Sequence, residues 1–221
     1  METLGICIGA STLSSVVLER RDGGAPVVLH SSALPHNGDP RKAVLETLER
    51  PEARRYDRIA VTGRSFRDCL NLTTLSEPES VEEAFVHLYG RGSGFNAVVS
   101  AGGETFLAYV LDGEGRISSV QTGNKCASGT GEFFLQQIRR MGMPLEEALR
   151  SARTETPYRV SGRCSVFCKS DCTHATNKGI PKGRVAAGLS RMMAEKILEL
   201  LTHVPRSRIL LIGGCARNAV M

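Results

Sequence analysis

The chain reads as an α/β protein built from two similar halves. Three observations lead there. Two groups of three short apolar runs, broken by turn residues, have the pattern of β-meanders. Each group is followed by stretches with helical spacing, and the first run of each group leads into a small-residue, glycine-containing turn. At 221 residues, 41% apolar and 23% charged, the chain has the make-up of a globular protein able to bury a sizeable core.

In the first half, Leu4 to Ile8 is an apolar run ended by Gly9-Ala10-Ser11-Thr12. Ser15 to Leu18 and Val27 to Leu29 complete the meander, separated by R-D-G-G-A-P. Pro40 to Arg55 starts after Asp39 and places Ala43, Val44, Leu45 and Leu48 at helical spacing, and Arg58 to Thr62 returns as a strand ending at Gly63. Glu79 to Tyr89 reads as a helix with Val81, Ala84, Phe85 and Leu88 on one face, broken by Gly90 to Gly94. The second meander is Asn96 to Ser100, Thr105 to Leu111 and Ile117 to Gln121, with Gly102-Gly103 and D-G-E-G as its turns. Thr130 to Met141, Leu145 to Ala152 and Gly183 to Leu201 read as helices, and Arg208 to Ile212 as a strand running into Gly213-Gly214. Ser128 or Thr130 is expected to cap the first of these helices. A boundary near residue 90 gives domains of 1–90 and 91–221.

Composition narrows the function classes. The apolar runs fall far short of the roughly 20 residues that span a bilayer, so no membrane association is expected. The N-terminus lacks the basic and apolar regions of a signal peptide, which points to the cytoplasm. A net charge of +5 without a Lys/Arg tract, with no Trp and 5% aromatics, speaks against nucleic-acid binding. Seven cysteines, an odd number, favour thiolate chemistry in a reducing compartment over a disulfide framework.

The chemistry concentrates in two cysteine segments and three glycine turns. The first segment is N-K-C-A-S-G-T-G-E-F-F around Cys126, where Gly129 and Gly131 make a turn that opens a helix, with N–H groups able to receive anionic sulfur or phosphate. The second is G-R-C-S-V-F-C-K-S-D-C, with Cys164, Cys168 and Cys172 four residues apart, on one stripe if helical. Lys125 and Arg163 set a cation beside each leading thiol. The glycine turns are Gly9-Ala10-Ser11-Thr12, Gly102-Gly103, and Gly213-Gly214-Cys215-Ala216-Arg217-Asn218, each following an apolar strand, so that backbone could approach phosphate without a Cβ in the way.

These segments, in order and spacing over nearly the whole chain, resemble the activator ATPases of 2-hydroxyacyl-CoA dehydratases and benzoyl-CoA reductases. The resemblance implies a two-lobed fold of the actin, Hsp70 and hexokinase type with RNase H-like lobes, and ATP or ADP with Mg²⁺ held in the interlobe cleft by the three turns. It implies one [4Fe–4S] cluster shared by a dimer, with itself or with a paralogue, through Cys126 and Cys164. The implied activity is ATP-dependent one-electron donation to an acyl-CoA dehydratase or reductase component. The family continues through another helix after the last turn, so the chain reads as short at its C-terminus.

Departures from the pattern bear on hydrolysis. Where the family carries an Asp in the first phosphate turn this chain has Cys7. Where it carries Asp-x-Gly-Gly-Gln-Asp the chain reads Ser100-Ala101-Gly102-Gly103-Glu104-Thr105. Hard cations need oxygen ligands, so weak or absent hydrolysis is expected, with Glu104 the remaining candidate catalytic carboxylate. Cys7 reads equally as a buried strand residue. Two other readings stay open: a non-hydrolysing nucleotide- or cluster-binding regulatory module, and a zinc-stabilised domain using Cys164, Cys168, Cys172 and His174. Cys168 and Cys172 are otherwise packed thiols, extra ligands or redox partners. His30, His36, His87 and His203 read as surface or cap residues.

Overall fold

The computed structural model describes residues 1–21, 24–49, 56–63, 70–123 and 129–221, which fall into two compact units, Met1–Leu88 and Tyr89–Met221. In the first, β1 (Glu2–Ile8), β2 (Thr12–Glu19) and β3 (Val27–Pro35) form an antiparallel meander. Helix α1 (Pro40–Leu48) then leads to β4 (Arg58–Thr62), parallel to β1, and the two-residue β5 (Thr73–Thr74), before α2 (Glu77–Tyr89). The sheet order is β3-β2-β1-β4-β5. Alternation decides which face is covered: Leu4, Ile6 and Ile8 of β1 join Leu13, Val17 and Val61 in a core closed by Ala43 and Val44 of α1. Cys7, out of phase with that face, is exposed.

The second unit repeats the plan. An antiparallel meander of β6 (Ala97–Ala101), β7 (Phe106–Leu111) and β8 (Ile117–Thr122) is followed by helices α3 (Gly131–Arg140), α4 (Leu145–Ala152), α5 (Ser165–Asn177) and α6 (Lys182–Leu200). The chain returns in β9 (Ile209–Ile212), parallel to β6, and ends in a 3-10 turn over Gly214–Arg217. The order β8-β7-β6-β9 matches β3-β2-β1-β4 of the first sheet. Every residue of β6 is buried, as in a strand covered on both faces. Phe133, Phe134 and Ile138 of α3, Ala148 of α4, Cys168 and Cys172 of α5, and Val185, Leu189 and Met193 of α6 build its core.

Each half also contains the same close backbone approach. After β4, Gly63 has φ +130, and a Cβ built on it would lie 2.4 Å from Ile8 O of β1; after β9, Gly213 has φ +93, and its Cβ would lie 2.5 Å from Ala101 O of β6. In each sheet the strand parallel to the first one ends on a glycine because no side chain fits against the first strand's last carbonyl.

Several elements depart from expectation. β3 runs on to Pro35, held by pairing with β2 although H-S-S-A-L-P carries little apolar signal. Helix α1 stops at Leu48, where its apolar spacing gives out and the Glu49 N–H donates to Leu45 O; residues 50–55, included in the expected helix, lie outside the described residues. On α2 only Phe85 is buried, while Ala84 and Leu88 of the expected face are exposed. No described helix is long and apolar enough to cross a membrane.

Candidate functional site

The first glycine turn joins β1 to β2 and is closed by the Gly9 N–H donating to Thr12 O at 2.9 Å. At its tip, the N–H groups of Ala10 and Ser11 meet no protein acceptor among the described residues, leaving two donors for an anion. The turn is braced from behind by His36. This histidine is not the surface residue its isolation in sequence suggests: it is 6% exposed, its Nε2 lies 3.1 Å from Gly9 O, its Nδ1 accepts from the Gly38 N–H at 3.2 Å, and its own N–H donates to Ser11 O at 3.0 Å. The residues that follow explain why it can reach. Asn37 and Gly38 have φ +49 and +87, and the Asp39 N–H donates to His36 O at 2.8 Å, the signature of a tight I′-type reversal. Asp39 then caps α1 by accepting from the Lys42 N–H at 2.9 Å.

The second turn sits at the equivalent place between β6 and β7, closed by the Gly102 N–H donating to Thr105 O at 3.3 Å. Its carbonyls are taken by the next helix: the Gly131 N–H donates to Gly102 O at 3.1 Å and the Glu132 N–H to Gly103 O at 2.9 Å. A Cβ on Gly131 would lie 2.6 Å from Cys215 Sγ and 3.0 Å from Gly102 O, so only glycine fits where turn, helix and the last segment meet. Cys215 closes this junction with its thiol 3.5 Å from Gly102 O, and burial pushes that thiol up to about 11. Thus Gly102, Gly103, Gly131 and Gly213 gather at one point. Glu104 stands exposed in the turn, and Ser100, 8% exposed, lies just before it, in register with Ile212 as Cys7 is with Thr62. The exposure of Cys7 removes its reading as a buried strand residue. Gly214 is exposed with nothing within 4 Å of a Cβ built on it. Asn218 is committed inward, its amide donating to Ser190 Oγ at 3.0 Å and its oxygen accepting from the Val220 N–H.

Of the two cysteine segments, Cys126 lies outside the described residues with Lys125 and Ser128. The chain re-emerges at Gly129, φ +88, against the aliphatic arm of Lys196, and Thr130 caps α3 by accepting from the Phe133 N–H. Cys164 is half-buried at the N-cap of α5, makes no capping bond with its side chain, and is followed by Val166 and Phe167, 68% and 65% exposed. The loop before it is held at three places. The Tyr158 N–H donates to Arg184 O at 2.9 Å, Gly188 of α6 passes under Tyr158 O so closely that a Cβ would clash, and the Ser161 N–H donates to Asp171 Oδ2 at 2.8 Å. Between this loop and α6 runs an open groove of about 1270 Å³, with Arg159, Arg163, Arg191 and Lys196 among its lining residues. Lys196 touches Gly129 and Arg163 precedes Cys164, so the groove joins the surroundings of both segments.

Cys168 and Cys172 turn away from that surface, at 0% and 3% exposure, with Cys168 Sγ 3.8 Å from Met192 Sδ. The Cys168 thiol also holds Cys172 below its ordinary range, against the burial that pushes it up. His174 is exposed on the outer face of the same helix, so the four zinc candidates do not converge, and no group of three metal-binding His, Cys, Asp or Glu side chains occurs among the described residues. Sequence reasoning missed the roles of His36, Lys196 and Gly188. Only for His36 was there a signal, the N-G-D-P reversal that follows it.

Fold and turns together define an α/β protein of two units with matching sheets, the fold also seen in solved dehydratase activators. The chain belongs to the BadF/BadG/BcrA/BcrD ATPase family, which matches residues 4–221. It is 24% identical over 225 residues to the (R)-2-hydroxyglutaryl-CoA dehydratase activating ATPase of Acidaminococcus fermentans, across 98% of this chain and 84% of that one. It is 26% identical over 164 residues to one of the benzoyl-CoA reductase subunits of Thauera aromatica, across 69% and 58%. The activator of 2-hydroxyisocaproyl-CoA dehydratase from Clostridium difficile, solved with bound ADPNP, superposes over 100% of this chain and 82% of its own, with a TM-score of 0.83 at 21% identity.

Proposed function

We propose that the chain is an iron–sulfur activator that binds ATP and passes single electrons to an acyl-CoA dehydratase or reductase component. Membership of the family and its dehydratase-activating relatives support the class. The observation that carries the reading is the pair of hydrogen bonds by which the second phosphate turn holds the first two residues of α3, the helix that the Cys126 segment opens. A phosphate accepting from the Gly103 and Glu104 N–H groups would polarise the same peptides whose carbonyls hold α3, which links bound nucleotide to the helix that the Cys126 segment opens.

Among the described residues, the first turn and Cys164 have the chemistry to receive a phosphate and a cluster iron respectively. The Ala10 and Ser11 N–H groups form a small anion-binding concavity, and the Cys164 sulfur is not used by its own helix, whose N-terminus favours the negative charge of a thiolate-ligated group. When bound, the cluster supplies the one-electron step and ATP its driving force. The assignment places Cys126 and Cys164 of two chains around one cluster, with exposed Val166 and Phe167 flanking the contact between copies. Protein purified without oxygen should carry about one four-iron cluster per two chains. Cys126→Ala and Cys164→Ala should each abolish it, while Cys168→Ala and Cys172→Ala keep it. Equal iron in all four variants overturns the assignment. Stripping the iron should shift the protein toward monomer in sedimentation; a dimer that persists shows that other contacts hold it.

A second reading is favoured by one observation: Cys7 and Ser100, at equivalent places on the two sheets, are not carboxylates. On it the chain is a regulatory module that binds nucleotide or cluster without hydrolysis. Robust Mg²⁺-dependent ATP hydrolysis by the unaltered protein excludes it.

A further inference from the structure

We propose that His36 is a positioning residue for nucleotide phosphate, acting by aiming the Ala10 N–H of the first turn; the inference rests on the nucleotide-binding reading above. The Gly38 N–H donates to Nδ1, so that nitrogen presents its lone pair and the proton sits on Nε2, which donates to Gly9 O. The peptide joining Gly9 to Ala10 is trans, as all the described peptides are. In a trans peptide the C=O and N–H point in opposite directions. Pinning Gly9 O on the buried imidazole therefore turns the Ala10 N–H away from His36 and out of the turn. The His36 N–H, donating to Ser11 O, fixes the next carbonyl but one from the same side. One residue thus sets the rotation of the peptides at the turn's tip and, through the Asn37-Gly38 reversal, ties them to the start of α1.

Three substitutions in the full chain separate the two ends of the ring. In His36→Gln the side-chain amide nitrogen takes the place of Nε2 and keeps the bond to Gly9 O. In His36→Asn the shorter amide keeps an acceptor for the Gly38 N–H and does not reach Gly9, and His36→Phe keeps neither. Affinities for ATP and for adenosine are measured by calorimetry, with thermal unfolding alongside. ATP binding should weaken about tenfold in the Asn and Phe variants, as for one lost neutral hydrogen bond, and stay within about twofold of the parent in the Gln variant. Adenosine, which carries no phosphate, should bind all four proteins alike. Equal ATP affinity in the Phe variant overturns the inference, as does a parallel loss of ATP and adenosine binding, which marks a purely structural role. Hydrogen exchange at Ala10 gives a ligand-free check: the Asn and Phe variants should lose a tip conformation that Gln retains, and identical exchange in all four counts against the proposal. Absence of ATP binding by the parent instead removes the nucleotide reading on which the inference stands.

Discussion

At Cys215 a single thiol records how tightly the second unit's turns are packed. It is 8% exposed, and burial raises its pKa from 9.0 to about 11. A group whose folded pKa lies above its unfolded one contributes its full stability below the unfolded value and loses it as pH rises through the folded one. Stability should therefore be unaffected by this thiol up to about pH 9. It should fall by roughly 2–3 kcal/mol between about pH 9 and pH 11, the window set by the two values. Comparing urea midpoints of the parent and Cys215→Ala across that window isolates the effect from other alkaline titrations; parallel curves would refute it. At about pH 8 Cys215 should also resist alkylation in the folded protein while exposed Cys7 reacts. Nothing in G-G-C-A-R-N marks Cys215 as buried. Its position follows from β9 pairing with β6, a contact between residues more than a hundred apart in the chain. His36 was hidden for the same reason: a polar residue among turn formers reads as exposed until the strand beside it is known.

Among the elements, those with strict period were legible and those held by tertiary contact were not. β1, with Leu4, Ile6 and Ile8 alternating, and α3, with Phe133, Phe134, Gln137 and Ile138 on one buried face, declare themselves in the sequence. α5 was readable only as a conditional helix, because its buried positions are Cys168, Cys172 and Ala175 among polar residues. The loop from 156 to 163 had no signal at all, yet it delivers Cys164. Gly188 makes this loop testable. Glycine inside a helix ordinarily costs about 1 kcal/mol relative to alanine, so Gly188→Ala would stabilise a free-standing α6. Here the added methyl meets the Tyr158 backbone carbonyl, which cannot move as the tip of a flexible side chain can. Net destabilisation of about 1–3 kcal/mol is expected, with loss of iron retention out of proportion to the loss of fold. An unchanged urea midpoint and full iron content would show that the crossing is looser than described.

Over the whole molecule, the repeated plan makes Cys7 and Ser100 counterparts. Each lies near the end of the first strand of its sheet, one position before the residue whose carbonyl meets the partner strand's terminal glycine, and each precedes a turn closed by an N–H to carbonyl bond. The burial of the two differs, since Cys7 is exposed and Ser100 is 8% exposed. Cys7→Asp should therefore leave thermal stability nearly unchanged, whereas Ser100→Asp buries a carboxylate and should lower it, because desolvating a charge is costly. Mg²⁺ with ATP should restore the stability of Ser100→Asp, since a cation bound there would offset the cost of the buried charge. Phosphoryl transfer depends on positioned charge, so restoring one of the two missing acids alone should leave ATP hydrolysis weak. The double variant should exceed the product of their separate effects. A hydrolysis rate in the double variant no greater than in the parent, with Mg²⁺ still restoring Ser100→Asp, would mean that the metal binds without acting on the transferred phosphate. Glu104, exposed in the same turn, would then be the carboxylate to replace next.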